Sequence, residues 1–272
     1  MRILLTNDDG IHAPGLAVLE RVARALSDDI WVVAPAEEQS GTGRSLTITK
    51  PVRVRRFDER RFAVTGTPTD AVMMALAKLV EPWPDLVLSG VNRGANLAED
   101  VSYSGTVSAA MEGAFAGIRS VALSQLYAGV GPGENVSFAA AEAWGERVLR
   151  PIIDAEWAAR TVVNVNFPAV PPDEVRGVQV CRQGLRNHGR LRLDHRTDPR
   201  GFDYYWLALQ RVPHDPEPGT DLAAVREGRI SVTPLHIDLT HRDTMKSLHG
   251  LFGALPPSDV DLPEAPEGRA DG

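Results

Sequence analysis

One cysteine, Cys181, stands in a chain of 272 residues. No intramolecular disulfide can form, a cysteine-built zinc cage is excluded, and a reducing cytoplasm is the expected setting. No uninterrupted apolar run approaches the roughly 18 residues that a membrane span requires. The start, Met1-Arg2-Ile3-Leu4-Leu5-Thr6, is apolar only over Ile3, Leu4 and Leu5 before Asn7, Asp8 and Asp9, which is too short for the core of a signal peptide. A soluble, unexported protein without a membrane partner is therefore expected. Positive charge is also scarce: 29 Lys and Arg face 36 Asp and Glu, for a formal charge of -7. That balance argues against a nucleic-acid polymer as main partner, because such affinity comes from neutralising phosphates. Small anions remain open as substrates, since a few local charges or a metal can override the global sign. Two nucleotide-binding signatures are missing as well. No Gly-Lys-Ser/Thr ending marks a P-loop, and no Gly-x-Gly-x-x-Gly follows the first apolar run. There is no internal repeat.

The chain does have enough apolar residues, 43%, to bury a sizeable core as one large α/β domain or a domain with a smaller appendage. Residues 2–6 read as a buried strand. Leu16, Leu19, Val22, Ala23 and Leu26 then recur at helical spacing after a loop with Gly10 and Pro14. Ile30 to Ala34 is a second apolar run, so strand, helix and strand predict a right-handed βαβ unit and a parallel sheet. Ligands of such a sheet bind outside the C-terminal ends of its strands. Leu46 to Thr49, Val52 to Phe57 and Arg61 to Thr65 look like an inserted or edge hairpin near 46–65. Thr67-Pro68-Thr69-Asp70 opens a helix, with Thr67 as cap and Pro68 in its first position. Further strands are expected at 85–89, 121–124 and 161–167, and helices at 104–116 and about 136–155. From about 170 the texture becomes β-like, with runs at 175–180, 204–209 and 230–235 and a short helix at 221–227. The stretch 251–272, rich in Pro, Asp, Glu and Gly towards its end, reads as disordered.

Four loops carry the chemistry. Asp8 and Asp9 follow directly on the first strand, and adjacent carboxylates repel unless a cation lies between them; their hard oxygens suit Mg²⁺, Mn²⁺ or Ca²⁺. The competing reading has Asp8 capping a turn while Asp9 faces water. In Ser40-Gly41-Thr42-Gly43-Arg44-Ser45, small residues let backbone amides approach an anion and Ser40 offers a neutral oxygen, although a plain Ser/Gly loop has the same composition. In Ser89-Gly90-Val91-Asn92-Arg93-Gly94-Ala95-Asn96, the Asn92 amide oxygen would complete a mixed oxygen shell; Asn92 and Asn96 also suit turns. Ser104-Gly105-Thr106 starts a helix and aims free N–H groups at the crevice, or simply caps that helix. All four fall at predicted C-terminal strand ends, where together they supply hard metal ligands beside an anion cradle.

These segments have a family resemblance. Thr6-Asn7-Asp8-Asp9-Gly10-Ile11, Val33-Ala34-Pro35 with Ser40 to Ser45, Gly66-Thr67-Pro68-Thr69-Asp70, Ser89 to Gly94 and Tyr103-Ser104-Gly105-Thr106-Val107 resemble the SurE family, the survival-protein-E nucleotidases. Val163 to Pro168 and Ile230 to Leu235 are later matches, so the resemblance spans roughly 1–240 in the family's order. It implies an α/β fold with a Rossmann-like three-layer parallel-sheet core over 1–170 and a smaller β-rich C-terminal region over 171–250. It implies a cytoplasmic 5'/3'-nucleotidase that releases phosphate from nucleoside monophosphates with a divalent cation. The family's metal ligands map onto Asp8, Asp9, Ser40 and Asn92, and its phosphate contacts onto Asn96, Ser104, Gly105 and Thr106. Homodimers or homotetramers that exchange C-terminal elements are implied too, which gives the 171–250 region a role in assembly. Polyphosphate is a further substrate to consider.

Asp8 either orients or deprotonates an attacking water or itself attacks phosphorus; Asp8 and Asp9 are the catalytic candidates, and the water route is preferred because no separate acid–base pair is evident. His12 is read as a solvent-facing loop residue, and the arginines at 53, 55, 56, 60 and 61 as a solvated hairpin. Arg182 to Arg200, with His188 and His195, is read as a surface loop. Two rivals stay open at this level: a sugar-nucleotide transferase, which needs a second acceptor, and a non-catalytic nucleotide-binding protein, which binds without turnover.

Overall fold

The computed structural model describes residues 1–127, 137–186, 190–210 and 215–252. Strand β1 (Ile3–Thr6) is buried throughout and sends alternate side chains to opposite faces of a sheet. Ile3 and Leu5 join Leu16 and Leu19 of helix α1 (Pro14–Arg24) and Val148 and Leu149 of a later helix in one core cluster, whereas Leu4 faces a second cluster. Strand β2 (Ile30–Pro35) pairs parallel with β1, completing the βαβ unit.

The edge hairpin is β3 (Val54–Arg56) and β4 (Arg61–Val64), antiparallel to one another, with β4 parallel to β2. Leu46 to Thr49 forms no strand; the Thr47 N–H is tied instead to Asp70 Oδ1 at 3.0 Å. Asp70 also closes a capping box with Thr67 at the start of α2 (Pro68–Met74). Next come β5 (Leu86–Arg93), α3 (Gly105–Phe115), β6 (Arg119–Gln125), α4 (Ala139–Asp154) and β7 (Thr161–Phe167), with β1, β5, β6 and β7 running parallel.

After residue 170 follow β8 (Val178–Val180), β9 (Arg190–Thr197), β10 (Asp203–Gln210), α5 (Asp221–Arg226) and β11 (Ile230–His236). Among the described residues the main sheet has nine strands in the order β3-β4-β2-β1-β5-β6-β7-β11-β8. Helices α1 and α4 cover one face of its centre, and α2 with Ala109 of α3 covers the other. This is the three-layer, Rossmann-like α/β arrangement. Strands β9 and β10 form a separate antiparallel pair.

That pair corrects the expectation of a surface loop over 182–200. Residues 190–197 are a strand in register with β10 from Thr197↔Asp203 to Arg190↔Gln210. Asp198 Oδ1 accepts the Arg200 and Phe202 N–H groups in the turn between them. His188 lies outside the described residues, as do 253–272 of the stretch read as disordered.

The chain divides into two compact units, Met1–Leu235 and His236–Gly272. In the second, helix α6 (Arg242–Phe252) starts beyond His241, whose ring nitrogen meets the Thr244 hydroxyl at 2.6 Å. An Arg242–Asp238 ion pair of 2.8 Å supports the same end.

Candidate active site

The C-terminal end of β1 runs straight into Asp8 and Asp9. Asp8 is 4% exposed. Its Oδ1 accepts a 2.5 Å hydrogen bond from the Thr106 hydroxyl, on the first turn of α3. The helix lies so close that a Cβ on Gly105 would sit 2.8 Å from Asp8 Cβ and 3.0 Å from Oδ2. Only glycine lets the positive end of α3 rest on this carboxylate. Burial pushes the Asp8 carboxyl up from 3.8 to about 6, the Thr106 hydroxyl bond pulls it back, and the neighbouring Asp9 charge raises it again. Asp9 is also raised, by burial first and by Glu38 further, against the Arg93 N–H that donates to its Oδ2 at 3.0 Å.

That Arg93 bond brings the end of β5 to the acidic pair, with Asn92 next to it. The Asn92 side-chain amide donates to Gly94 O at 2.8 Å, which turns Gly94 back towards it. The loop after β2 joins through Gln39, whose N–H donates to the Asp8 carbonyl at 2.8 Å. Glu37 packs against Gly10 closely enough that a Cβ there would approach Glu37 C to 3.2 Å. Ser40 is exposed, and its hydroxyl donates to Glu38 Oε1 at 2.8 Å. Ser104 caps α3 by accepting the Val107 N–H at 3.1 Å. Asn96 is buried, and its amide donates to Ser124 Oγ at 2.8 Å. The four predicted loops thus converge on the β1 and β5 ends. Asp8, Asp9, Gly105 and Thr106 are in direct contact or one bond apart; Ser40 and Asn96 have their side chains engaged with other protein groups.

The family model described as survival protein SurE matches residues 3–190 of this sequence. The chain belongs to the SurE family. It is 64% identical over 253 residues to a protein of Rhizorhabdus wittichii named 5'-nucleotidase SurE, covering 93% of this chain and all of that one. It is 56% identical over 261 residues to a protein of the same name from Caulobacter vibrioides, covering 96% of this chain and 99% of that one. The crystal structure of the SurE protein from Aquifex aeolicus superimposes with a TM-score of 0.79 at 40% identity, covering 92% of this chain and 99% of that chain.

In this SurE chain the donor set at the strand ends fits a hard divalent cation. It offers two carboxylates whose ionised forms burial disfavours; Asn92 adjoins Arg93, whose N–H meets Asp9, and Ser40 adjoins Gln39, whose N–H meets the Asp8 carbonyl, so the candidate donors of these loops are all oxygens. Asn7 Oδ1, one residue before the pair, is buried and has no hydrogen-bond partner among the described residues. Sequence reasoning did not find the supports of the Asn96 loop. Asn166 Oδ1 accepts the Asn96 N–H at 2.8 Å, and the Asn164 and Asn166 amides donate to Asn96 O at 2.8 and 3.1 Å. The signal was two asparagines at alternate positions of an otherwise apolar strand, both facing one side and both fully buried.

Proposed function

We propose that the chain is a phosphomonoesterase that hydrolyses nucleoside 5'- and 3'-monophosphates to nucleoside and phosphate, with polyphosphate as a further substrate. The observation that carries this reading is the pair of consecutive carboxylates at the end of β1 under the start of α3, each with one oxygen already fixed by a protein donor. The names of the relatives above, 5'-nucleotidases, support the substrate class. Asp8 Oδ2, Asp9 Oδ1, Ser40 and Asn92 would hold a divalent cation, Mg²⁺ or Mn²⁺. Bound there, the cation supplies charge neutralisation and a lowered pKa for water.

The chain's own residues do the rest. Thr106 holds Asp8 in one orientation, which places its carboxylate to orient an attacking water or take its proton. The α3 start, with Ser104, Gly105 and Thr106, and the Asn96 loop form the cradle for the phosphoryl oxygens. A bond forms between the water oxygen and phosphorus, the bond from phosphorus to the ribose oxygen breaks, and the ribose oxygen leaves as a hydroxyl carrying the proton that the water gave up, while the water's other proton stays on the phosphate. In this reading residues 1–170 are the catalytic core and 171–250 assemble two or four copies. The cytoplasm is the proposed compartment; among the described residues no helix is long and apolar enough to cross a membrane.

The test is phosphate release from a panel of 5'- and 3'-monophosphates, first in EDTA and then with Mg²⁺ or Mn²⁺ restored. Metal should restore turnover, and a folded Asp8→Asn variant should lose about 10²–10⁴-fold. Nucleotide binding by the folded wild type with no turnover under any metal would sink the enzyme reading.

A further inference from the structure

The loop between β5 and α3 carries an L residue in a glycine-like conformation. Ala98 has φ 52° and is fully buried, a backbone state that a residue with a Cβ adopts only under constraint. Both of its backbone polar groups are gripped by side chains from the far end of the chain. Its N–H donates to Asp221 Oδ2 at 2.9 Å across 123 residues, and its carbonyl accepts the Gln183 amide at 2.9 Å across 85. Asp221 is completely buried at the start of α5, and its other oxygen accepts the Gly184 N–H at 2.9 Å and the Leu222 N–H at 2.8 Å. Next along the loop, Glu99 accepts the Arg186 N–H at 2.9 Å, and Asp100 pairs with the Arg186 guanidinium.

Asn96 and Ser104 bracket this gripped segment. Asn96 is held from β7, so its position is fixed by the core. From Ala98 to Ser102 the chain makes a 3₁₀ turn and hands over to Ser104, the cap of α3, and to Gly105, which lies on Asp8. The path of that turn depends on how the peptide groups flanking Ala98 are oriented, and those are set by Asp221 and Gln183. From this geometry we infer that Asp221 and Gln183 are positioning residues for phosphate binding, holding Ala98 in its left-handed state so that the Asn96–Ser104 segment closes as a cradle. The inference rests on the phosphomonoesterase reading. It assigns to the region after residue 170 a part in building the site itself. The carboxylate is required because each oxygen faces an N–H; an asparagine would turn an amide N–H₂ towards one of those donors.

The test uses the full-length protein and its Asp221→Asn and Gln183→Met variants. Three quantities are measured for each: KM for a nucleoside 5'-monophosphate, binding of inorganic phosphate by calorimetry, and binding of Mn²⁺ alone. In Asp221→Asn, KM and the phosphate Kd should rise together by about ten- to a hundredfold, because small misplacements of binding groups have effects of that size. Mn²⁺ binding should stay unchanged, because Asp8 and Asp9 are held by Thr106 and Arg93. Gln183→Met should move the same two constants in the same direction by less. A lower Tm with KM and phosphate Kd unchanged would mean that Asp221 is only structural, and would overturn the inference. If Asp221→Asn does not fold, the exposed Gln183 decides by the same readout. If the wild type turns nothing over yet binds phosphate, the enzyme reading fails while phosphate binding still tests the cradle. If the wild type binds no phosphate, the cradle is overturned too.

Discussion

Asp8 holds a charge where its surroundings penalise one, and that sets a pH signature. The folded carboxyl titrates near 6 and the unfolded one near its ordinary 3.8, so the native state binds the proton more tightly. Stability therefore falls as pH rises between about 4 and 6, and the cost, about 3 kcal/mol from the shift, is fully present above that window. A carboxylate with a lowered pKa, such as Asp70, acts in the opposite direction: burial raises it, but the bonds from Thr47 and Thr67 overcome that. Comparing wild type with Asp8→Asn isolates the Asp8 contribution. In EDTA at pH 7.5 the variant should melt higher than wild type by calorimetry, and the gap should close towards pH 4. Added Mn²⁺ should raise the wild-type Tm and leave the variant unmoved. A variant that melts lower at pH 7.5 would show that burial of the Asp8 charge is already compensated within the protein.

At the scale of elements, α3 approaches β1 on the strength of Gly105. A Cβ there would meet Asp8 at 2.8 Å and Pro68 Cγ at 3.1 Å, so either the helix or the carboxylate must move. Gly105→Ala should cost about 1–3 kcal/mol by denaturant unfolding, the usual cost of overpacking. It should also lower turnover at least about tenfold, which steady-state kinetics on the folded variant would check.

The elements around this contact were legible in the sequence for physical reasons. Strands β1, β2, β5, β6 and β7 are buried on both faces and so read as continuous apolar runs, and α2 announces itself through Thr67, Pro68 and Asp70. Strand β9 was not legible. Its Arg-Leu-Arg-Leu-Asp-His-Arg-Thr run belongs to a two-stranded ribbon separate from the main sheet, and charge outweighs alternation there. Helix α6 was missed because Met245 and Leu248 recur among charged and small residues too few to stand out. In the site, residue types at strand ends pointed to Asp8, Asp9 and Thr106. The grip of Asp221 and Gln183 on Ala98 could not be read, because a contact across 123 residues leaves no local pattern.

At the scale of the molecule, the β9–β10 ribbon stands outside the nine-stranded sheet and displays Leu193, Trp206 and Leu207 at 54, 62 and 72% exposure. Apolar surface of that kind on a two-stranded ribbon is stabilised when another surface covers it. Replacing residues 190–210 with a short Gly/Ser linker should leave the main sheet folded, with its far-ultraviolet spectrum near that of wild type. Light scattering should then report a smaller assembly. An unchanged mass would take the ribbon out of assembly.

The link between Asp221 and Ala98 also imposes a schedule on the newborn chain. Asp8, Asn92 and Thr106 have all left the ribosome's catalytic centre long before Asp221 is joined, and Ala98 precedes it by 123 residues. At about 5–20 residues per second, that interval is roughly 6–25 s. For that time the acidic pair and the start of α3 exist while the turn between them lacks its distant anchor. A product released early, even one long enough to form most of the central sheet, would carry every candidate ligand and still hold phosphate poorly. Competence arrives once Asp221 has been joined and α5 has docked, so the arrival of this late segment works as a quality check on the site.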